Sequence, residues 1–202
     1  VKMFKMFKNP VKSELSYNDI HLIKELISIS KKPIIIVGQG CVDSYKLLRK
    51  FAKIHNIPVV PTIHGMGIFD EKDPLSLKFL GMHGNAASNI AIQNADLIIN
   101  IGSRFDDRTT GNPEMYAPEA NLAYNEGRGG ILHVNIDVND INKTIISHYN
   151  YRIDSEIFLK TLLNNIPNPN IDRTNWLNCI TAIKEKYKFS INKPLYNKLN
   201  SQ

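Results

Sequence analysis

The chain has 202 residues, and 43% of them are apolar, which is enough for a buried core and excludes a mainly disordered protein. Lysine and arginine outnumber aspartate and glutamate by 25 to 19, so the net charge of +6 favours an anionic ligand, but lysines grouped near both termini argue against a nucleic-acid surface. The 2 cysteines exclude a disulfide framework, and no apolar run approaches the roughly 20 residues that cross a bilayer, so we expect no membrane and no nucleic acid as a partner.

Helical and strand-like segments alternate along the chain, as they do in α/β proteins. The first helix is expected to begin after Asn18, whose side chain type caps helix N-termini, and to end before Pro33. The run 34–37 has no polar alternation and predicts a strand that is buried on both faces. A glycine turn at 38–40 leads into a second helix over 43–55. Its spacing predicts one buried face formed by Ser44, Leu48, Phe51, Ala52 and His55.

The middle of the chain contains a long stretch without a regular pattern. It covers 62–84, is rich in glycine, and follows a short strand at 59–60. Unstructured loops above roughly 15 residues are uncommon in compact domains unless they serve a ligand or a partner. This stretch is therefore the first indication of function.

The second half of the chain continues the alternating pattern. A helix over 87–94 leads to a strand over 97–101, and 131–136 predicts another buried strand. Either Asp137 or Asn139 is expected to cap a short helix that follows this strand.

The character of the sequence changes near 167–170, where we place a domain boundary. A last strand is expected at 151–153, before this boundary, and residues 174–189 have the spacing of an amphipathic helix that carries Trp176. The predicted organisation is a linker over 1–16, a central α/β domain over 17–167 and a helical linker over 168–202.

Four loops follow predicted strands, at 38–40, 62–64, 102–104 and 135–137. The carboxyl ends of parallel strands meet at one edge of a sheet, and open sheets of this class bind their ligands along that edge. We therefore expect the four loops to converge on one rim and to form a binding site there.

The glycine turn at 38–40 precedes a helix N-terminus, where free amides and the helix dipole favour a phosphate oxygen. The dinucleotide fingerprint needs a third glycine where this chain has Asp43, and Val60, Pro61 and Thr62 leave no acid at the end of the second strand. An ordinary tight turn explains the glycines equally well. An independent NAD-dependent oxidoreductase is therefore disfavoured.

Two further motifs carry candidate chemistry. The LGMHG segment at 80–84 lets the backbone approach a flat ligand, or it is a turn in which Met82 fills a gap in the core. The RFDDR segment at 104–108 offers guanidinium groups to a diphosphate or carboxylate, or it is a solvated network of ion pairs. The histidines have no metal-ligand spacing, so no metal site is predicted in this chain.

Three segments together closely resemble acetohydroxyacid synthase, also called acetolactate synthase. They are PIIIVGQGC at 33–41, the segment 80–120 with LGMHG and RFDDR, and NEGRGGILHVNIDVNDINK at 125–143. The resemblance is to the central domain of the catalytic subunit, and the NEGRGG insertion resembles the fungal branch. It implies an α/β fold with an open, mostly parallel sheet of about six strands flanked by helices, the Rossmann-like central domain of thiamine-diphosphate enzymes. It further implies a mitochondrial location if the chain is fungal, and otherwise a cytoplasmic or plastid one.

The resemblance also implies an activity. The family condenses two pyruvates, or pyruvate and 2-ketobutyrate, with loss of CO2 on the way to valine, leucine and isoleucine. Thiamine diphosphate and Mg²⁺ serve this reaction, and the central domain holds an FAD that takes no net redox part in it. The implied partners are the other domains of the same subunit, further copies in a dimer or tetramer, and a regulatory small subunit.

Residue by residue, the resemblance assigns the FAD contacts and a substrate and inhibitor channel. The channel positions are Met82, Asp107 and Arg108. The FAD positions along the first two loops and LGMHG are Gly38, Gln39, Gly40, Thr62, Ile63, Gly81, Met82, His83 and Gly84. The resemblance assigns the diphosphate and ribityl contacts to Gly102, Arg104, Asp106 and Arg108. It assigns the adenosine pocket to Asn135 and Ile136, and it places Asp154 and Ser155 beside the adenine.

One residue departs from the family pattern, and two motifs are missing. The family commonly has an acid where this chain has Asn135, so we expect a weaker ribose contact. Neither the activating glutamate nor the GDG…N diphosphate–metal motif of the family occurs in the 202 residues. We therefore expect a central-domain fragment that is inactive alone. The alternative is a ligand-free scaffold of another thiamine-diphosphate enzyme, with contacts supplied by the Trp176 helix and the 62–84 loop.

Overall fold

The computed structural model describes residues 14–167 and 171–188. The predicted linker over 1–16 lies almost entirely outside the described residues, and so do part of the predicted boundary, at 168–170, and the tail from 189 onward. Within the described ranges, no helix is both long and apolar enough to cross a bilayer.

A parallel sheet forms the centre of the described part of the chain. Its strands are β1 (Pro33–Val37), β2 (Val59–Pro61), β3 (Leu97–Ile101), β4 (Gly130–Val134) and β5 (Tyr149–Tyr151). They are arranged in the order β2-β1-β3-β4-β5, and every neighbouring pair is parallel. The predicted α/β class with an open parallel sheet is confirmed.

The described sheet has five strands, one fewer than the resemblance implied. The outer side of β2 carries a single parallel bridge between Val59 and Ser76 instead of a sixth strand. The Val59 N–H donates to the Leu75 carbonyl at 2.9 Å, and the Leu77 N–H donates to the Val59 carbonyl at 3.0 Å. Residues 75–77, within the long 62–84 segment, therefore cover the edge of the sheet.

Helices cover both faces of the sheet. They are α1 (Tyr17–Ile29), α2 (Tyr45–His55), α3 (Ala86–Asn94), the single turn α4 (Asp107–Thr110), α5 (Pro118–Asn125), α6 (Ser155–Asn165) and α7 (Thr174–Lys186). One core lies between the sheet and α1, α2 and α6, and the other lies between the sheet and α3, α5 and α7. Alternate strand residues enter the two cores, as with Ile35 and Ile34, which explains why the strand sequences show no polar alternation. The predicted buried face of α2 is confirmed.

The prediction that Asn18 caps the first helix is wrong. Ser16 is the N-cap residue, because its Oγ accepts the Asp19 N–H at 3.1 Å while the Asp19 carboxylate accepts the Ser16 N–H at 3.1 Å. This reciprocal capping box satisfies two backbone donors at once, whereas Asn18 lies inside the first turn.

The segment after β4 also differs from the prediction. β4 ends at Val134 instead of 136, and β5 covers 149–151 instead of 151–153. The predicted short helix after Asp137 is absent from the described segment 137–148, where the Asp137 carboxylate accepts the Asn139 N–H at 2.9 Å in a local turn. Helices α5 and α6 were not predicted, although Pro118 at the first position of α5 and the Asp154 cap of α6 are recognisable start signals.

Helix α7 packs against the same domain. Trp176 is buried and donates its indole N–H to the Pro33 carbonyl at 3.0 Å, and Ile180 is buried beside it. The apolar face around Trp176 is therefore already covered by α3 and the sheet, so the expectation that it supplies partner contacts is wrong.

Candidate functional site

The loops that follow β1, β2, β3 and β4 meet at the carboxyl edge of the sheet, as predicted. Together they enclose a groove of about 430 Å³. Its lining comprises the glycine turn and the three other loops: Gly38, Gln39, Gly40, Thr62, His64, Gly102, Ser103, Arg104, Asp106, Asn135, Ile136, Asp137 and Asp140. We call this groove the sheet-edge groove.

A second groove of about 410 Å³ adjoins the first. It shares His64, Arg104 and Asp106 with the sheet-edge groove, so the two grooves adjoin at these side chains, and we call the pair the trough. Its other lining residues come mainly from the LGMHG and RFDDR loops: Ile63, Phe79, Leu80, Met82, His83, Asp107, Arg108 and Thr109. We call it the outer groove.

The glycines of the trough allow two loops to touch. A Cβ on Gly38 would lie 2.2 Å from the Gly102 carbonyl oxygen, and one on Gly40 would lie 2.8 Å from the Gly102 Cα. The Gly38 and Gly40 amides donate to the carbonyls of Ile101 and Gly102, both at 3.0 Å. The expectation that the amides of these two glycines are free for a phosphate is therefore wrong. Their local role is to join the first and third loops.

Arg104 stands between the two grooves with most of its side chain in solvent. The side chain is 60% exposed, and its Nη2 lies 3.7 Å from an Asp106 carboxylate oxygen. An exposed ion pair of this length stabilises the fold very little, so the guanidinium is available to an anion. The other Asp106 oxygen accepts the Thr109 N–H at 2.9 Å and caps α4, the turn that carries Asp107 and Arg108.

The sheet-edge groove becomes acidic beyond Arg104. Asp137 and Asp140 line this end, and burial together with the neighbouring Asp137 charge raises the pKa of Asp140. The Arg104 and Lys143 charges act against this rise. Carboxylates accept hydrogen bonds from hydroxyl groups, so this end suits a polyhydroxyl group better than a phosphate.

The Asn135 side chain is less available to a ligand than the sequence indicated, because both of its polar atoms already have partners. Its amide nitrogen donates to the Ser103 carbonyl at 3.2 Å, and its oxygen accepts the Asp137 N–H at 3.0 Å. The buried side chain therefore orders two loops of the rim. One N–H and one lone pair of the amide remain for a ligand.

The LGMHG loop is joined to the RFDDR loop by backbone contacts. The Met82 N–H donates to the Arg108 carbonyl at 2.8 Å, and a Cβ on Gly81 would lie 2.4 Å from that same oxygen. Met82 is 71% exposed, which excludes the alternative that it fills a gap in the core. His83 is also exposed and lines the outer groove, while Gly84 lines a neighbouring depression.

Asp154 and Ser155 line neither groove. The Asp154 carboxylate accepts the Glu156 N–H at 2.8 Å and caps α6, while the Ser155 Oγ donates to the Gly40 carbonyl at 2.7 Å. The fold thus places both residues behind the glycine turn, where they support it.

Three lining residues, His64, Ser103 and Asp137, lie in loops that were predicted to form the rim but were not assigned as ligand contacts. Asp140 lies outside those loops and was missed, although its position shortly after β4 is a signal that could have identified it. No group of three His, Cys, Asp or Glu side chains with the geometry of a metal site occurs within 14–167 and 171–188.

Comparison with known proteins places the chain in a family. The model of the thiamine pyrophosphate enzyme central domain matches residues 20–162. The mitochondrial acetolactate synthase catalytic subunit of Saccharomyces cerevisiae is 41% identical over 88% of this chain and 26% of its own length. The mitochondrial acetolactate synthase of Schizosaccharomyces pombe is 39% identical over 85% of this chain and 26% of its own length. The chloroplastic acetolactate synthase of Arabidopsis thaliana is 37% identical over 85% of this chain and 25% of its own length.

The chain spans about a quarter of the length of these relatives. The family model covers most of the described fold, from within α1 to within α6. The chain therefore belongs to the family of thiamine pyrophosphate enzyme central domains.

Proposed function

We propose that the chain is the FAD-binding central domain of an acetolactate synthase catalytic subunit. The complete protein would condense two pyruvates, or pyruvate and 2-ketobutyrate, with thiamine diphosphate and Mg²⁺ held by other domains. The observation that carries the proposal is the pair of adjoining grooves at the carboxyl edge of the sheet, with the exposed Arg104 between them. The names of the relatives support the activity.

The chemistry along the trough matches the parts of FAD. Arg104 can pair with the diphosphate by charge-assisted hydrogen bonds. The carboxylates of Asp137 and Asp140 can accept hydrogen bonds from the ribose hydroxyls. At the opposite end, the exposed side chains of Ile63 and Met82 offer an apolar surface to a flat ring system.

The walls of the trough fit a bulky ligand because they lack side chains at the critical places. Gly38, Gly40 and Gly102 have no side chains, so their backbones pack closely together and no side chain from these positions projects into the sheet-edge groove. Asp154 and Ser155 would then support the adenine end through the glycine turn instead of touching it.

The outer groove is proposed to border the substrate channel of the complete enzyme. Met82, Asp107 and Arg108 line it together, and all three are exposed. A cationic guanidinium suits the carboxylate of a 2-keto acid, so Arg108 is the residue that we expect to attract substrate.

The proposed setting follows the fungal relatives. These are named mitochondrial, and we propose the same location for this protein. We further propose that the domain works beside the other domains of its subunit, in a dimer or tetramer, with a regulatory small subunit.

A scaffold without a ligand is the second candidate function. The observation in its favour is that the Gly38 and Gly40 amides are already bonded to the neighbouring loop and are not offered to a phosphate. Such a domain would join catalytic domains and leave flavin in solution.

Titration of the 202-residue chain with FAD separates the two functions. A ligand at about 100 times its dissociation constant stabilises the folded state by about 2.7 kcal/mol, so the FAD-binding domain should melt several degrees higher at saturating FAD. NAD, which shares the ADP half, is the control and should raise the melting temperature much less. An unchanged melting temperature with FAD would support the scaffold.

A further inference from the structure

The backbone carbonyl of Ser103 fixes the loop that carries Arg104. It accepts hydrogen bonds from Asn100 Nδ2 at 3.1 Å, His133 Nε2 at 2.8 Å and Asn135 Nδ2 at 3.2 Å. These donors come from β3, from β4 and from the loop after β4. Three side-chain hydrogen bonds to one loop carbonyl hold Ser103, the residue directly before Arg104, in place.

His133 holds this loop at a second point. Its ring lies 5.0 Å from the Phe105 ring in an edge-to-face arrangement, and both side chains are almost completely buried. Phe105 has a φ of 51°, a left-handed conformation that side chains other than glycine rarely adopt. The buried ring thus holds the backbone in a turn that leaves Arg104 and Asp106, on either side of Phe105, facing the trough.

The hydrogen bond to the Ser103 carbonyl determines which ring nitrogen of His133 carries the proton. A carbonyl only accepts hydrogen bonds, so Nε2 of His133 carries the proton and Nδ1 carries none. Among the described residues, Nδ1 has no hydrogen-bond partner. Burial lowers the pKa of His133 to about 4, against the opposing effect of the Ser103 carbonyl, so the ring is neutral and its donor is fixed at physiological pH.

We infer that His133 is the positioning residue that aims Arg104 and Asp106 into the trough, through its hydrogen bond to Ser103 and its contact with Phe105. This inference rests on the proposed FAD site. The imidazole touches neither groove, since His133 is buried behind the loop on β4. Its effect on the ligand therefore passes entirely through the loop.

His55 offers a matched control for a role in packing alone. It is also buried, its ring lies 4.6 Å from the Phe51 ring, and burial lowers its pKa to about 4. Neither of its ring nitrogens has a partner among the described residues. It lies at the end of α2, outside both grooves.

Three variants of the 202-residue chain test the inference. His133→Phe keeps an aromatic ring and removes the donor, His133→Gln restores a donor at the position of Nε2, and His55→Phe makes the same change in the control histidine. Affinity for FAD is measured by titration of the flavin absorbance, and mobility of the loop is measured by amide hydrogen exchange at 103–106 without ligand. Each variant is also unfolded with denaturant.

We expect His133→Phe to weaken FAD binding about tenfold and to accelerate exchange at 103–106, as expected for loss of one hydrogen bond that orders the site. His133→Gln should recover most of the affinity, and His55→Phe should change it less than about twofold, because the His55 ring has no hydrogen-bond partner among the described residues and lies outside both grooves. If His133→Phe does not fold, His133→Met provides the same test, because it also lacks the donor.

Equal affinity in His133→Phe and the unmodified chain would overturn the inference, and so would equal weakening in His133→Phe and His55→Phe. These outcomes leave the proposed function intact, because the unmodified chain still binds FAD. If the unmodified chain does not bind FAD, the proposed function fails and the inference fails with it.

Discussion

The two rims of the sheet use their charged residues in opposite ways. At the amino rim, where the strands begin, the buried Asp96 carboxylate accepts the N–H groups of Lys31 and Lys32 at 2.7 and 2.9 Å. Arg173, also buried there, donates to the carbonyls of His55 and Ile27 at 2.8 and 2.6 Å. At the carboxyl rim, Arg104 is 60% exposed and has only a long contact with Asp106.

This difference separates charges that hold the fold from charges that remain available to a ligand. The buried groups at the amino rim are hydrogen-bonded to backbone atoms, so removal of one leaves unpaired polar groups in the core. The exposed groups at the carboxyl rim contribute little to stability and can pair with an anion at small cost. Substitutions at the amino rim should therefore change mainly the free energy of unfolding, and substitutions at the carboxyl rim should change mainly the affinity for the ligand.

The largest effect is expected for Arg173→Leu at the amino rim. The variant loses two charge-assisted hydrogen bonds and leaves the carbonyls of His55 and Ile27 without them, so we expect the free energy of unfolding to fall by about 4 kcal/mol. Denaturant titration measures the loss. A decrease below about 1 kcal/mol would show that the buried guanidinium does not hold the ends of α1 and α2.

A pH titration compares the buried histidines of the two rims. Burial lowers the pKa of both His55 and His133 from 6.5 to about 4, so the unfolded chain binds protons first as the pH falls. The free energy of unfolding should therefore decrease between pH 6.5 and 4, and each histidine should contribute about 3 kcal/mol to the decrease. His55→Phe should remove its own contribution. Parallel stability curves for the variant and the unmodified chain over this range would contradict the assignment.

Arg104→Ala at the carboxyl rim should weaken FAD binding by about 2 kcal/mol, the value of a charge-assisted contact to a phosphate. The free energy of unfolding should stay within about 0.5 kcal/mol, because the side chain is exposed. Arg104→Lys keeps the charge but not the paired N–H groups, so its affinity should be intermediate. An unchanged dissociation constant for Arg104→Ala would remove Arg104 from the site.

The smallest effect is expected for Arg128→Ala, which is the converse experiment at the amino rim. Arg128 forms ion pairs with Glu119 and Glu126 at 3.1 and 2.5 Å and is partly exposed. We expect a loss of about 1 kcal/mol in the free energy of unfolding and no change in FAD affinity. If Arg128→Ala changed the affinity for FAD but not the free energy of unfolding, the charges of the amino rim would serve the ligand and not the fold, which would contradict the comparison.

The sequence was sufficient to predict the first strands and the meeting of their loops at one rim. The short apolar runs of β1 and β3 favour strands covered on both faces, and parallel order brings their following loops together. The RFDDR cluster was marked as a candidate because it lies shortly after β3, and its role in ligand binding stays a prediction. The exposure of Arg104, which composition does not encode, favours a ligand contact over a network of ion pairs.

Contacts between distant residues were not predictable from local patterns. The Ser103 carbonyl accepts from donors up to 32 positions away, and the Gly38 and Gly40 amides donate to the last residue of β3 and to the first residue of the loop after it. The buried Arg173 was missed for the same reason, since its partners are 118 and 146 positions distant. The Ser16 capping box is a local signal that the sequence contains, but Asn18 is also a residue type that caps helices and was chosen in its place.

The most direct test of the FAD site is amide hydrogen exchange of the 202-residue chain with and without saturating FAD. Binding in the trough predicts slower exchange at 38–40, 102–106 and 135–137, and unchanged exchange near 94–96 and 127–129 at the amino rim. Protection confined to the amino rim, or no protection anywhere at saturating FAD, would contradict the account.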